Sequence, residues 1–105
     1  MKPGYVYMLT NKPGGVLYIG VTDDLAKRVE QHRSCAVPGF TKDYNCHLLV
    51  WFESFENVHD ARVFERRMKK WNRVWKIARI VERNPEWRDL TRFTADPPRR
   101  RGPQA

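Results

Sequence analysis

The sequence predicts an α/β fold: a small three-stranded antiparallel sheet flanked by helices, in the order β-β-α-β-α-α. Three observations predict it. Residues 5–20, YVYMLTNKPGGVLYIG, form two apolar, tyrosine-bearing runs around a proline–glycine break, the pattern of a hairpin. A third run, from about His47 to Phe55, is rich in Leu, Val, Trp and Phe. The charged stretches beside these runs repeat apolar side chains every three or four positions, the spacing of a helix with one buried face.

Taken in order, Tyr5 to Thr10 and Val16 to Val21 carry residue types that suit a pleated, half-buried surface. Asn-Lys-Pro-Gly-Gly between them supplies the turn. Thr22 or Asp23 caps a helix over about Asp24 to Arg33, with Leu25 and Val29 as its short apolar stripe. Residues 34–46, SCAVPGFTKDYNC, are a loop broken at Pro38-Gly39. The strand from His47 to Phe55 is apolar on both faces between Leu48 and Phe52, which suits the middle of the sheet. A second helix starts near Asn57 to Asp60, with His59 at its start, and buries Ala61, Phe64, Met68 and Trp71. A third buries Val74, Ile77, Ala78 and Val81, and Asn84-Pro85 ends it.

A chain of 105 residues suits one domain, here residues 1–92. The Pro/Arg-rich tail, 93–105, has little to bury and is expected to be disordered. No apolar run reaches the length of about 18 residues that a membrane span needs. The opening MKPGYVYMLT lacks a secretory cleavage site. Cys35 and Cys46 are too few for a disulfide framework and read as reduced thiols, so the expected compartment is the cytoplasm. His32, Cys35, Cys46 and His47 do not match the usual ligand spacings of zinc.

Charge is more informative. Twenty basic residues against 12 acidic ones leave +8, which favours a polyanionic partner. From Arg62 to Arg83 there are nine basic residues and only two acids, Glu65 and Glu82. That is a focused patch, although a solvated basic face without a partner has the same composition.

Register ties the tyrosines together. If the hairpin loop has an even number of residues, Tyr7 and Tyr18 share a sheet face: a turn on Pro13-Gly14 sets them diagonally, a loop over 11–14 directly opposite, whereas a five-residue loop puts them on opposite faces. They could then be an ordinary cross-strand pair or part of a site. Arg28 and His32, four apart, project from one side of the first helix at the border of its apolar stripe. Arg suits bidentate phosphate contact and His a hydrogen bond or proton, yet a surface Arg and an incidental His have the same spacing. Glu65 borders the apolar seam of the second helix among Arg62, Arg66, Arg67, Lys69 and Lys70. It is either an ion-pair partner for Lys69 or a carboxylate able to anchor Mg2+.

Tyr5-Val6-Tyr7 followed by Tyr18-Ile19-Gly20 resembles the two halves of the GIY-YIG nuclease signature, with Arg28-x-x-x-His32 and a helical Glu65 in the expected order. The resemblance runs from about Tyr5 to Leu90. It is nearest to the small stand-alone members, through GFTK-x-Y (Gly39–Tyr44), LV-x-FE (Leu49–Glu53), KKW (Lys69–Trp71) and NPEWRDL (Asn84–Leu90).

The resemblance implies a metal-dependent DNA endonuclease on the GIY-YIG fold, of a family that includes the incision domain of nucleotide-excision repair, intron-homing enzymes and some restriction enzymes. It implies that Tyr7 and Tyr18 are the motif tyrosines and candidate bases. Arg28 would contact the scissile phosphate, His32 would assist by hydrogen bonding, and Glu65 would ligate one Mg2+ or Mn2+ ion. Lys42, Arg62, Arg66, Lys69 and Lys70 are the expected nucleic-acid contacts. Cleavage would be nicking, directed by DNA structure, weakly sequence-specific or directed by a protein partner, with a place in repair or recombination. Two departures stand out: Tyr-Val-Tyr replaces Gly-Ile-Tyr, and the Asn that many members carry after the Glu has only Asn72 and Asn84 as candidates. The alternative is a nucleic-acid-binding module that keeps the fold with little catalysis.

Overall fold

The computed structural model describes residues 2–34 and 39–94, with the side chain of Phe40 left aside. Cys35, Pro38 and the tail from residue 95 lie outside the described residues. The elements are β1 (Gly4–Thr10), β2 (Leu17–Thr22), α1 (Leu25–Arg33), a one-turn α2 (Phe40–Asp43), β3 (Leu48–Phe55), α3 (Val58–Lys70) and α4 (Arg73–Arg83), then a 3-10 turn at Thr91–Phe93. The sheet is antiparallel with strand order β2-β1-β3.

The hairpin closes on Lys12-Pro13-Gly14-Gly15, where the Gly15 amide donates to the Lys12 carbonyl at 2.8 Å. Gly14 sits at φ 73. Proline first and a left-handed glycine second is the type II pattern, which only glycine follows without strain. The two-residue turn fixes the register: Tyr7 faces Gly20 and Leu9 faces Tyr18. Tyr7 and Tyr18 therefore lie on one face, one pair apart.

Each face of the sheet is covered. Val6, Met8, Ile19, Val50 and Trp51 pack with Ala61 and Met68 of α3 and Ile80 of α4. Tyr7, Leu9 and Leu49 pack with Leu25 and Val29 of α1 and with Cys46. The centre of the sheet is β1, not β3 as its sequence suggests. The long apolar run of β3 has two causes. Helices cover both its faces, and a bulge opposite Met8 and Leu9 interrupts its alternation. Leu49 pairs with Leu9 and Trp51 with Met8, so Val50 is the extra residue and joins Trp51 on the α3/α4 face.

The open edge of β3 is covered by the segment after α4. The Leu90 amide donates to the Leu49 carbonyl at 2.7 Å, and Asn84 Nδ2 donates to the Val50 carbonyl at 3.1 Å. Asp89 joins this segment to α1 through Arg33 at 2.8 Å. Burial pushes the Asp89 carboxyl up, but hydrogen bonds from Thr91, Arg33 and the Leu49 amide outweigh it and hold the group below its ordinary value.

Helix starts follow side-chain caps. Asp24 caps α1, one residue later than predicted, by accepting from the Lys27 amide. Asn57 caps α3 and Asn72 caps α4. Ala61 and Met68 of the predicted α3 stripe are buried, with Phe64 and Trp71 packed beside them. On α4 three of the four predicted residues miss: Val74, Ala78 and Val81 are exposed, Ile77 is half-buried, and Ile80 is the buried residue. The helix lies on the sheet by Ile80, with Arg83 paired to Glu53 and lying over the Trp51 ring. Trp75 is 60% exposed, with its ring set edge-on to that of Trp71. Among the described residues, no helix is long and apolar enough to cross a membrane.

Candidate active site

Tyr7 is carried by the central strand, where both neighbours fix its backbone, and its side chain is only 1% exposed. Its ring lies 6.3 Å from that of Tyr18 and 5.9 Å from that of His32, and Tyr18 and His32 are 5.4 Å apart, centre to centre. The Tyr7 hydroxyl is 3.0 Å from His32 Nε2. His32 sits in the last turn of α1, and its other ring nitrogen, Nδ1, is 2.9 Å from Thr41 Oγ1.

Gly20 makes this arrangement possible. A Cβ at this position would lie 2.4 Å from both Cζ and Oη of Tyr7 and 3.0 Å from Tyr18 Cε2. The glycine of the second half-motif is thus the floor on which the Tyr7 phenol rests. Tyr5 also lies on the Tyr7 face, whereas Val6 and Ile19 face the α3/α4 core. Those two motif positions are packing residues.

Arg28 and Glu65 complete the cluster electrostatically. Burial drives the Tyr7 phenol well above its ordinary value of 10, Tyr18 adds to the rise, Arg28 opposes it and Glu65 adds to it. Burial, followed by Arg28 and His47, lowers His32 from 6.5 to about 4. At neutral pH the pair is therefore a phenol beside a neutral imidazole. Glu65 is only 8% exposed, and its Oε2 holds Lys69 Nζ at 2.5 Å. Lys69 in turn lines a concavity of about 250 Å³ with Leu17, Tyr18, Ile19 and Lys76, so Tyr18 is the motif tyrosine that reaches it.

The donor set fits a hard divalent cation with few protein ligands. Among the described residues, no three His, Cys, Asp or Glu side chains cluster, and Glu65 is the carboxylate whose charge reaches Tyr7. Mg2+ accepts such a site because it keeps several waters and takes phosphate oxygens as further ligands. Neither candidate asparagine is available to it. The Asn72 side chain accepts from the Trp75 amide at 2.9 Å. Asn84 is buried, donates to the Val50 and Arg88 carbonyls and accepts from the Arg88 amide. Cys46 is a buried thiol whose pKa burial raises.

The basic stretch divides once folded. Arg62, Arg66, Lys69 and Lys70 of α3 are exposed, as is Lys42 of α2. The basic residues of α4 have other roles. Arg73 donates to the Gly14 and Gly15 carbonyls at 2.7 and 2.6 Å, stapling the hairpin turn. Arg79 lies over the rings of Trp71 and Phe64. Thr41 stood in the GFTK-x-Y segment without a role, because a threonine in a polar loop carries no signal of being 2% exposed beside a histidine ring. Gly20 was legible as a motif residue; its contact with Tyr7 follows from the register.

Residues 3–78 match the model of the GIY-YIG catalytic domain, and the chain belongs to that family. It is similar to a UPF0213 protein of Pediococcus pentosaceus, 35% identical over 74 residues that cover 70% of this chain and 78% of the relative. A UPF0213 protein of Clostridium perfringens is 35% identical over 80 residues, covering 76% and 85%. The fold is shared with the solution structure of a UPF0213 protein from Bacillus halodurans, at a TM-score of 0.52 and 23% identity over 90% of this chain and 99% of that one.

Proposed function

We propose that the protein is a divalent-metal-dependent DNA endonuclease that hydrolyses one phosphodiester bond at a time. The observation that carries this reading is the convergence of Tyr7, Tyr18 and His32, rings 5.4–6.3 Å apart, under the electrostatic reach of Arg28 and Glu65. Hydrolysis of a phosphodiester needs a deprotonated water, neutralised phosphoryl oxygens and a stabilised leaving oxygen.

Arg28 pairs with a non-bridging phosphoryl oxygen, where a planar guanidinium binds best. Tyr7 takes the proton of the attacking water, and Tyr18 orients that water or the phosphate. The Tyr7 phenol is an unreactive acid in the protein alone, so its work depends on positive charge arriving with the substrate, beyond what Arg28 provides. Glu65 would hold Mg2+ or Mn2+, which supplies charge neutralisation at the leaving oxygen; Lys69 then turns from the carboxylate to a phosphate. Lys42, Arg62, Arg66 and Lys70 hold the flanking backbone. One such site cuts one strand, so nicking is the expected product, directed by DNA structure or a protein partner. Repair or recombination is the setting in which such a nick is used.

A second reading keeps binding without turnover. It is favoured by the Lys69 ion pair on Glu65 and by the structural roles of Asn72 and Asn84. Incubating supercoiled plasmid and branched DNA with Mg2+ or Mn2+ separates the two. Metal-dependent nicking by the wild type, lost in Glu65→Ala, supports the enzyme. Salt-sensitive binding that ignores metal, with equal traces of cleavage from both proteins, supports the binding module.

A further inference from the structure

We propose that Thr41 is a positioning residue for the Tyr7–His32 pair: its buried hydroxyl accepts the Nδ1 proton of His32, fixing the tautomer that leaves Nε2 bare towards the Tyr7 phenol. Both ring nitrogens have a hydroxyl partner, Nε2 with Tyr7 at 3.0 Å and Nδ1 with Thr41 at 2.9 Å. A neutral imidazole has one N–H, so the two contacts cannot both be donations from the ring. Either Tyr7 donates to Nε2 and Nδ1–H donates to Thr41, or Thr41 donates to Nδ1 and Nε2–H donates to Tyr7.

The first arrangement is favoured. Burial keeps Tyr7 a protonated phenol, so its O–H must find an acceptor inside the protein. Nε2 stands 3.0 Å from its oxygen and supplies one when Nδ1 carries the ring proton. Two left-handed residues, Gly39 at φ 105 and Asn45 at φ 58, turn the chain into and out of this segment. The Cys46 amide then closes back onto the Thr41 carbonyl at 2.9 Å. With its backbone held this way and its side chain 2% exposed, Thr41 has its hydroxyl delivered to one place.

The catalytic consequence rests on the endonuclease reading above. Tyr7 can act as a base only if its own proton has somewhere to go. In the Nδ1–H tautomer Tyr7 Oη gives its proton to Nε2 as it takes one from water, so that no free phenolate forms. The water oxygen then bonds to phosphorus as the P–O bond to the leaving oxygen breaks. Tyr7 ends as a phenol, and the proton on His32 passes to the leaving oxygen or to solvent. In the other tautomer Nε2 is already protonated and the first transfer is blocked.

Two-bond ¹H–¹⁵N correlation spectra of the full-length protein read the tautomer directly. The wild type is expected to show His32 protonated on Nδ1, and Thr41→Val to shift it towards Nε2–H, because the variant leaves Nδ1–H without an acceptor. Single-turnover cleavage by Thr41→Val should slow by about 10–100-fold, the usual effect of removing a residue that orients a functional histidine, with DNA affinity unchanged. Thr41→Ser should restore both tautomer and rate. Nε2–H in the wild type overturns the proposal without recourse to any variant, as does a Thr41→Val protein of wild-type tautomer and rate. If the wild type cuts nothing, the endonuclease reading falls and takes the catalytic consequence with it, while the spectra still decide what Thr41 does to the ring.

Discussion

Replacing Gly20 with Ala sets local propensity against tertiary packing. In a strand, exchanging glycine for alanine ordinarily stabilises by about 0.5–1 kcal/mol, because the unfolded chain loses freedom. Here the added Cβ would stand 2.4 Å from Tyr7 Cζ and Oη, whereas ordinary contact begins at 3.4 Å. The phenol must retreat by about 1 Å in a close-packed core. Its side chain is buried and its hydroxyl is bonded to His32 at 3.0 Å, so the movement breaks that bond. Overpacking of this kind costs about 1–3 kcal/mol, and an unpaired buried polar group adds about 1–3 kcal/mol. The net expectation is a destabilisation of about 1–5 kcal/mol, each kcal/mol lowering Tm by about 4–8 °C for a domain of this size. Urea denaturation measures it, and the His32 ring resonances report the broken bond. A Gly20→Ala protein of equal or greater stability, with the Tyr7–His32 bond intact, would refute the reasoning.

Other outcomes follow from the same contacts. Asn84→Ala should destabilise by about 2–4 kcal/mol in denaturant, since it strands the Val50 and Arg88 groups that Asn84 serves, yet the folded variant should still nick DNA at low temperature. His32 gives a pH signature. The unfolded chain gains a proton as pH falls through 6.5, while the folded protein refuses it until about 4. Stability is therefore full above 6.5 and declines towards pH 4, by about 3 kcal/mol in all. Urea midpoints measured across that range should show the slope, and His32→Gln should flatten it. Arg66→Ala should lower the slope of log affinity against log salt by about 1 unit. Arg73→Ala should leave that slope unchanged and lower the Tm instead, since Arg73 staples the Gly14 and Gly15 carbonyls.

The hairpin register was legible as a condition: an even loop puts Tyr7 and Tyr18 on one face, and the turn on Pro13-Gly14 meets that condition, with the two set diagonally. The start of α3 near Asn57 was legible from local chemistry, whereas Asn72 was read only as a possible site residue and proves to be the cap of α4. What escaped was set by distant partners. The place of β3 at the edge depends on Leu90 and Asn84 returning to cover it, and an apolar run reads alike whether strands or helices surround it. The α4 stripe was misassigned because Val74, Ala78 and Val81 have helical spacing as good as that of the face carrying Ile80. Only the docking of Arg83 on Trp51 and Glu53 shows which face turns inward. The basic stretch looked uniform in sequence, whereas Arg73 and Arg79 are held by carbonyls and rings in the fold.

The central claim is that Tyr7 and Glu65, from a strand and a distant helix, act together on one phosphodiester. Single-turnover cleavage of one branched DNA by Tyr7→Phe, Glu65→Gln and the double variant, each shown to be folded, tests it most directly. Each single change should slow cleavage by at least about 100-fold, and the double variant should be little slower than either, as for groups that work as a unit. Cleavage at the wild-type rate by either single variant would contradict the account.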